Sequence, residues 1–186
     1  MSWLKLVRSD AARWVDQTQI IDPASITRRQ IIGVWYRFVA FRPMVWFRLG
    51  QMANRRGIPG LPSYCQRRIM RKYGLEILIG GAIGPGLYIP HPYGSVLSAG
   101  TVGPNCTFVG AVTLGMRDGL FPEIGEEVYV GAGARIIGGI VVGDRAKVGA
   151  NAVVVRDVEP DTSVVGIPAK PISGPSADQN LEQPNE

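Results

Sequence analysis

The feature that most narrows what this chain can fold into is a six-residue beat in its second half. An aliphatic residue returns at Ile124, Val130, Ile136, Val142, Val148 and Val154, and glycine directly follows four of them (Gly125, Gly131, Gly143, Gly149). The same period runs upstream as Ile77, Ile83 and Ile89, and again as Val96, Val102, Phe108 and Leu114. A buried helix face recurs about every 3.6 residues and a half-buried strand every second residue, so neither alone explains the pattern. It is the hexapeptide form of a parallel β-helix, in which each short strand supplies one side of a coil. The aliphatic side chains stack inward, while glycine and alanine permit the corners.

Two interruptions mark where loops leave such a scaffold. The step from Ile89 to Val96 reads as seven residues, one more than the period, and it contains His91, the one histidine of the chain. The step from Leu114 to Ile124 is ten residues, so the segment GMRDGLFPE bulges out. Departures from the period often lie on the binding face of a repeat protein, which raises His91 above an ordinary packed or solvated histidine.

Charge divides the chain near Gly74. Residues 1–75 hold 14 Lys+Arg against 3 Asp+Glu and all four tryptophans, whereas residues 76–186 hold 6 against 12 and 19 of the 24 glycines. The first unit reads as helical. Asp22-Pro23-Ala24-Ser25 is a helix-entry signal for Arg28 to Arg56, with Pro43 ending or kinking that helix. Leu61-Pro62-Ser63 then opens a basic helix closed by Gly74. Arginines and aromatics interleave in WYRFVAFRPMVWFRLG, which fits a cap packed on the main domain or on a neighbouring subunit. The same residues also suit peripheral contact with anionic lipid. Nucleic acid is not expected, because no binding motif accompanies the charge.

The opening residues lack the apolar core of a secretory signal, and Arg37, Arg42 and Arg48 break the greasiest stretch, so no membrane span is expected. The expected address is cytoplasmic, with peripheral contact at the inner membrane face as the variant. One histidine and two cysteines (Cys65, Cys106) offer neither a metal set nor a disulfide framework, so no metal is expected. Residues 172–186, polar and acidic, read as a disordered tail.

Residues 76–171 resemble the left-handed parallel β-helix domain of hexapeptide-repeat acyltransferases, and most closely the serine acetyltransferase-like branch. The segments that carry the likeness are IGPGLYIPHPYGSVLSAGTVGPN, AVTLG, IGEEVYVGAGARIIGGIVVGDRAKVGANAVVVRDV and VVGIPAKPI. The resemblance implies a mainly β fold with left-handed coils, preceded by the helical region 1–75. It also implies direct transfer of acetyl from acetyl-CoA to an acceptor hydroxyl, with His91 as general base. A hydroxyl is a poor nucleophile, and an imidazole, with an ordinary pKa of about 6.5, is a suitable base near neutral pH. Glu76 matches a carboxylate that assists the histidine, while Pro90 replaces a second one. Gly115, Ala132 and Ala150 match positions bordering the pantetheine arm. Arg135, Lys147 and Lys170 match basic positions toward the nucleotide end, where phosphates want cations. A homotrimer is implied, with a hexamer as the larger alternative, and His91 of one subunit faces the CoA-binding coils of the next.

The protruding loop departs from that family. Serine acetyltransferases carry an Arg-His pair before its proline, and here Leu120 and Phe121 precede Pro122. An amino-acid carboxylate wants a paired cation, and Arg117 is the loop's one cation. Short basic helices before such a β-helix also resemble O-acetyltransferases of surface-polysaccharide pathways. The sequence therefore favours a sugar acceptor, with L-serine, the substrate that feeds cysteine biosynthesis, as the alternative. A non-catalytic β-helix scaffold stands behind both.

Overall fold

Helix caps explain where the first unit begins and breaks. A computed structural model describes residues 2–16 and 19–174 of the chain. α1 (Trp3–Val15) starts at Ser2, whose hydroxyl accepts from the Lys5 N–H. α2 (Arg28–Arg37) starts at Thr27, whose hydroxyl accepts from the Gln30 N–H while the Gln30 side chain accepts from the Thr27 N–H. That reciprocal pair satisfies two donors a helix start otherwise leaves unpaired. The entry signal at Asp22 opens a short 3-10 turn, Pro23–Ser25, rather than a long helix. The basic segment breaks at Phe38 and a 3-10 turn, Val39–Phe41, before α3 (Arg42–Arg55). Pro43 lies in the first turn of α3, where its missing N–H costs nothing, so it begins a helix instead of ending one. α4 (Leu61–Tyr73) closes at Gly74, which takes a left-handed φ of 57° and donates its N–H to Met70 O.

The chain then winds five coils of a parallel β-helix. The first has β1 (Leu75–Ile77), β2 (Ala82–Ile83) and a bridge at Tyr88. The second has β3 (Ser95–Leu97), β4 (Thr101–Val102) and β5 (Thr107–Phe108). The third has β6 (Thr113–Gly115), β7 (Glu123–Ile124) and β8 (Tyr129–Val130). The fourth has β9 (Arg135–Ile137), β10 (Val141–Val142) and β11 (Lys147–Val148). The fifth has β12 (Val153–Val154), a bridge at Val158 and β13 (Ser163–Val165). Corresponding strands pair in parallel and build three faces. β14 (Lys170–Ser173) pairs antiparallel with β13 and so runs into the stretch that composition assigns to the tail. The rest of that tail, 175–186, lies outside the described residues.

Each face sends one ladder into the core. Ile136, Val142 and Val148 are fully buried in the fourth coil, as are Leu114 and Val130 in the third. Burying one such side chain contributes roughly 1.5–3 kcal/mol, so the six-residue beat is the register of the stability itself. The pairing corrects that beat at one point. Leu97, not Val96, joins Ile77 and Leu114 in the ladder, while Val96 lies outward between Glu76 and Thr113. Two residues are thus inserted between Ile89 and Leu97, and one is lost before Val102. The extra length is spent on the corner that carries His91.

The helices are fastened to the first coil by a buried ion pair. Arg48 and Asp10 are both fully buried, with Arg48 Nε to Asp10 Oδ2 at 2.7 Å and Nη2 to Oδ1 at 2.9 Å. Arg48 also donates to Gln51 Oε1, Ile83 O and Gly84 O, so all five guanidinium protons are used. Asp10 Oδ1 accepts from the Leu87 N–H as well. Burial is the largest influence on the Asp10 carboxyl and pushes it up, against the lowering pull of Arg48. Trp14 packs on Tyr88 with ring centroids 4.9 Å apart, and Arg13 reaches Asn105 O and Thr107 Oγ1. Among the described residues, no helix is long and apolar enough to cross a membrane.

Candidate active site

His91 stands at the edge where the third face turns into the first. Its N–H donates to Val109 O at 3.1 Å and it bridges in parallel to Gly110, so the backbone position is fixed by the next coil. The His91 side chain is exposed and, among the described residues, makes no hydrogen bond. Following the strand register down the same edge, Gly110 aligns with Ala132 and Ala132 with Ala150. His91, Gly110, Ala132 and Ala150 therefore form one column, about 14 Å from end to end at the ordinary strand spacing. Below the imidazole no side chain in it exceeds a methyl group. The outcome is a smooth trough that leads away from a potential base.

Charged groups flank this trough on both sides. On the first face Glu76, Val96, Thr113, Arg135 and Val153 form a single outward row. Glu76 lies in the first coil beside His91's corner, which is tied back by the Gly94 N–H on Gly74 O at 2.9 Å. No hydrogen bond or ion pair joins Glu76 to His91. Arg135 lies three coils further along and donates to Thr113 Oγ1 at 3.1 Å. On the third face Lys147 is exposed between Tyr129 and Ser163. Lys170, paired with Val165, lies at the far end of the same edge. The cations thus gather away from His91, an arrangement that suits a ligand with its reactive end at the imidazole and its anionic end at the last coils.

Gly115 does not join that column. It ends β6 on the other side of the first face, where a side chain would meet Ile137 Cδ1 at 3.0 Å. It lies at the foot of the protruding loop, which is a two-residue hairpin. Arg117 and Leu120 exchange both backbone hydrogen bonds, with Asp118 and Gly119 at φ 56° and 80°. Paired left-handed residues make the tight turn whose twist matches its strands, and Asp-Gly is a preferred sequence for it. Leu120 and Phe121 are 60% and 36% exposed, while the Arg117 guanidinium lies 3.3 Å from where a Cβ on Gly138 would stand and 3.7 Å from Asp118. Within one chain this hairpin and His91 occupy different edges, separated by the width of the first face.

Gly110 is the residue that sequence reasoning missed. A Cβ there would stand 2.6 Å from His91 O and 2.8 Å from His91 Cβ. The signal was available only as one more glycine in FVGAV, indistinguishable from the corner glycines around it.

Comparison with known proteins agrees with this architecture. The family model described as "Bacterial transferase hexapeptide (six repeats)" matches residues 121–156. A serine acetyltransferase of Synechococcus elongatus is 33% identical over 156 residues, covering 81% of this chain and 63% of that protein. The chain thus spans less than two thirds of that relative's length. A serine acetyltransferase of Helicobacter pylori is 32% identical over 157 residues, covering 82% of this chain and 90% of that protein. Among solved structures, Neisseria gonorrhoeae serine acetyltransferase in complex with serine superimposes with a TM-score of 0.76 at 33% identity, covering 91% of this chain and 68% of that one.

Proposed function

The chain belongs to the serine acetyltransferase family, and on that premise we propose that it moves the acetyl group of acetyl-CoA onto the hydroxyl of L-serine. His91 takes the hydroxyl proton as the oxygen attacks the thioester carbonyl. The carbon–sulfur bond then breaks, and the proton passes to the departing thiolate. The products are O-acetylserine and CoA. The observation that carries this reading is the column His91–Gly110–Ala132–Ala150, a base at the head of a trough with Arg135, Lys147 and Lys170 near its far end. Small residues let the backbone approach an extended ligand closely, and the cations suit phosphates. Glu76, beside that corner but without a hydrogen bond to His91, is the carboxylate assigned to stabilise the imidazolium as it forms. The hairpin and His91 stand on different edges, so a site that uses both takes them from two chains, which supports a homotrimer.

The relatives reverse the order of acceptors that the loop alone suggests, since they favour serine over a sugar. One observation keeps the sugar as a second reading: Leu120 and Phe121 occupy the hairpin positions where the family carries an Arg-His pair. The test follows CoA release with L-serine and with a panel of sugars, for wild type and His91→Ala. The imidazole is exposed, so the variant keeps its fold. We expect turnover on serine to fall about 10²–10⁴-fold. Turnover unchanged in His91→Ala refutes the general base, His91-dependent turnover on sugars alone refutes serine, and failure to bind acetyl-CoA favours a scaffold.

A further inference from the structure

α2 leaves most of its surface unused by the fold, since Val34 is its one buried residue. Arg28, Ile32 and Tyr36 recur every fourth residue with Arg29 beside them, so they share one helical face. All four are exposed, Tyr36 at 74%. Next to this face an apolar hollow of about 370 Å³ opens between α1 and α2, walled by Trp3, Leu4, Ile31 and Trp35.

The charge of the helical region is strongly one-sided. Residues 23–75 hold eleven Lys+Arg and not one Asp or Glu. Of the three carboxylates that precede them, Asp10 is buried against Arg48, which leaves ten basic residues against Asp16 and Asp22. A protein partner would have to supply carboxylates over that whole field, whereas an anionic bilayer supplies them continuously. Basic and apolar side chains on one exposed helix face are what a helix lying in the headgroup layer presents. The apolar groups enter the acyl boundary and the guanidiniums stay with the lipid phosphates.

We propose that α2 and the adjoining hollow are a docking surface for an anionic lipid bilayer, independent of the acetyl-transfer reading. The test is co-sedimentation of the full chain with vesicles of phosphatidylcholine containing 30% phosphatidylserine, against pure phosphatidylcholine, at low and high salt. Three proteins are compared: wild type, Arg28→Gln/Arg29→Gln, and Ile32→Ser/Tyr36→Ser. These side chains are exposed, and matched melting curves check that the variants fold. Wild type is expected on the acidic vesicles and not on the neutral ones. The arginine pair is expected to weaken binding about 25-fold at low salt, fivefold for each charge, and the apolar pair to weaken it as well. Equal binding to both vesicle types, or unchanged binding in both variants, overturns the proposal. Loss of self-association in the variants without any vesicle binding also overturns it and assigns the face to a second copy of the chain.

Discussion

Replacing Gly110 by alanine adds one methyl group where the edge has no space for it. The new Cβ would lie 2.6 Å from His91 O and 2.8 Å from His91 Cβ, about 0.8 and 0.6 Å inside the 3.4 Å at which ordinary contact begins. Neither neighbour is the free end of a side chain. The carbonyl belongs to the backbone of the corner, and the His91 N–H is held by Val109 O. The strain is therefore relieved by moving His91 itself, by about half an ångström to one ångström. A displacement of that order at a reacting group costs about 10²-fold in rate. Overpacking costs about 1–3 kcal/mol in stability, or roughly 2–12 °C in Tm for a chain of this size. The assay is CoA release at saturating serine, paired with thermal melting, with Gly80→Ala as the control because nothing lies within 4 Å of its added Cβ. We expect kcat to fall 10- to 100-fold in Gly110→Ala and to stay unchanged in the control. A lowered Tm with wild-type kcat would refute the reasoning, by showing that the edge absorbs the methyl without moving the base.

Arg48→Met removes one partner of the buried pair and leaves the Asp10 carboxylate unpaired. It should cost about 3–5 kcal/mol and lower Tm by roughly 6–20 °C, with part recovered when Asp10→Asn is added. The Cys106 thiol is fully buried, donates to Gly125 O at 3.1 Å and is pushed up to about 12 by burial. The unfolded chain loses that proton first, so stability should decline by about 1.4 kcal/mol per pH unit between about pH 9 and 12. Denaturant titrations of wild type and Cys106→Ala measure it, and equal slopes in the two would refute it. Restoring the family's pair with Leu120→Arg/Phe121→His should raise kcat/KM for serine relative to any sugar. A ratio unmoved by the exchange would mean that the hairpin does not choose the acceptor.

The period of six was legible because one face of each strand must be apolar, and His91 was legible because it breaks that period. The frame around it was not. An insertion of two residues followed by the loss of one looks, in a count of aliphatics, like a single insertion, and both Val96 and Leu97 are plausible ladder members. The parallel pairing of β1 with β3 decides between them, because Leu75 and Ile77 face inward opposite Ser95 and Leu97. Arg48 served the sequence reading only as a charge that forbids a membrane span. Its partner Asp10 is 38 residues away, and no local pattern links them. The column below His91 was half visible: Ala132 and Ala150 came from family likeness, whereas Gly110 needed coordinates. Handedness came from likeness too, since ordinary crossover rules favour the opposite sense.

A stack of identical coils has no inherent length, because every coil offers the next one a ready row of hydrogen-bonding groups. This chain blocks growth differently at its two ends. At the start, Arg48 and Gln51 donate to the carbonyls of Gly81, Ile83 and Gly84, on the side of the first coil where no earlier coil exists. At the finish, β14 turns back antiparallel along β13 and presents a strand of the wrong direction for another copy to continue. An open sheet edge is a template for fibrils, and one face is closed at each end, the second at the start and the third at the finish. Five coils is thus a length set by terminators, and removing either one should turn a discrete particle into a seed.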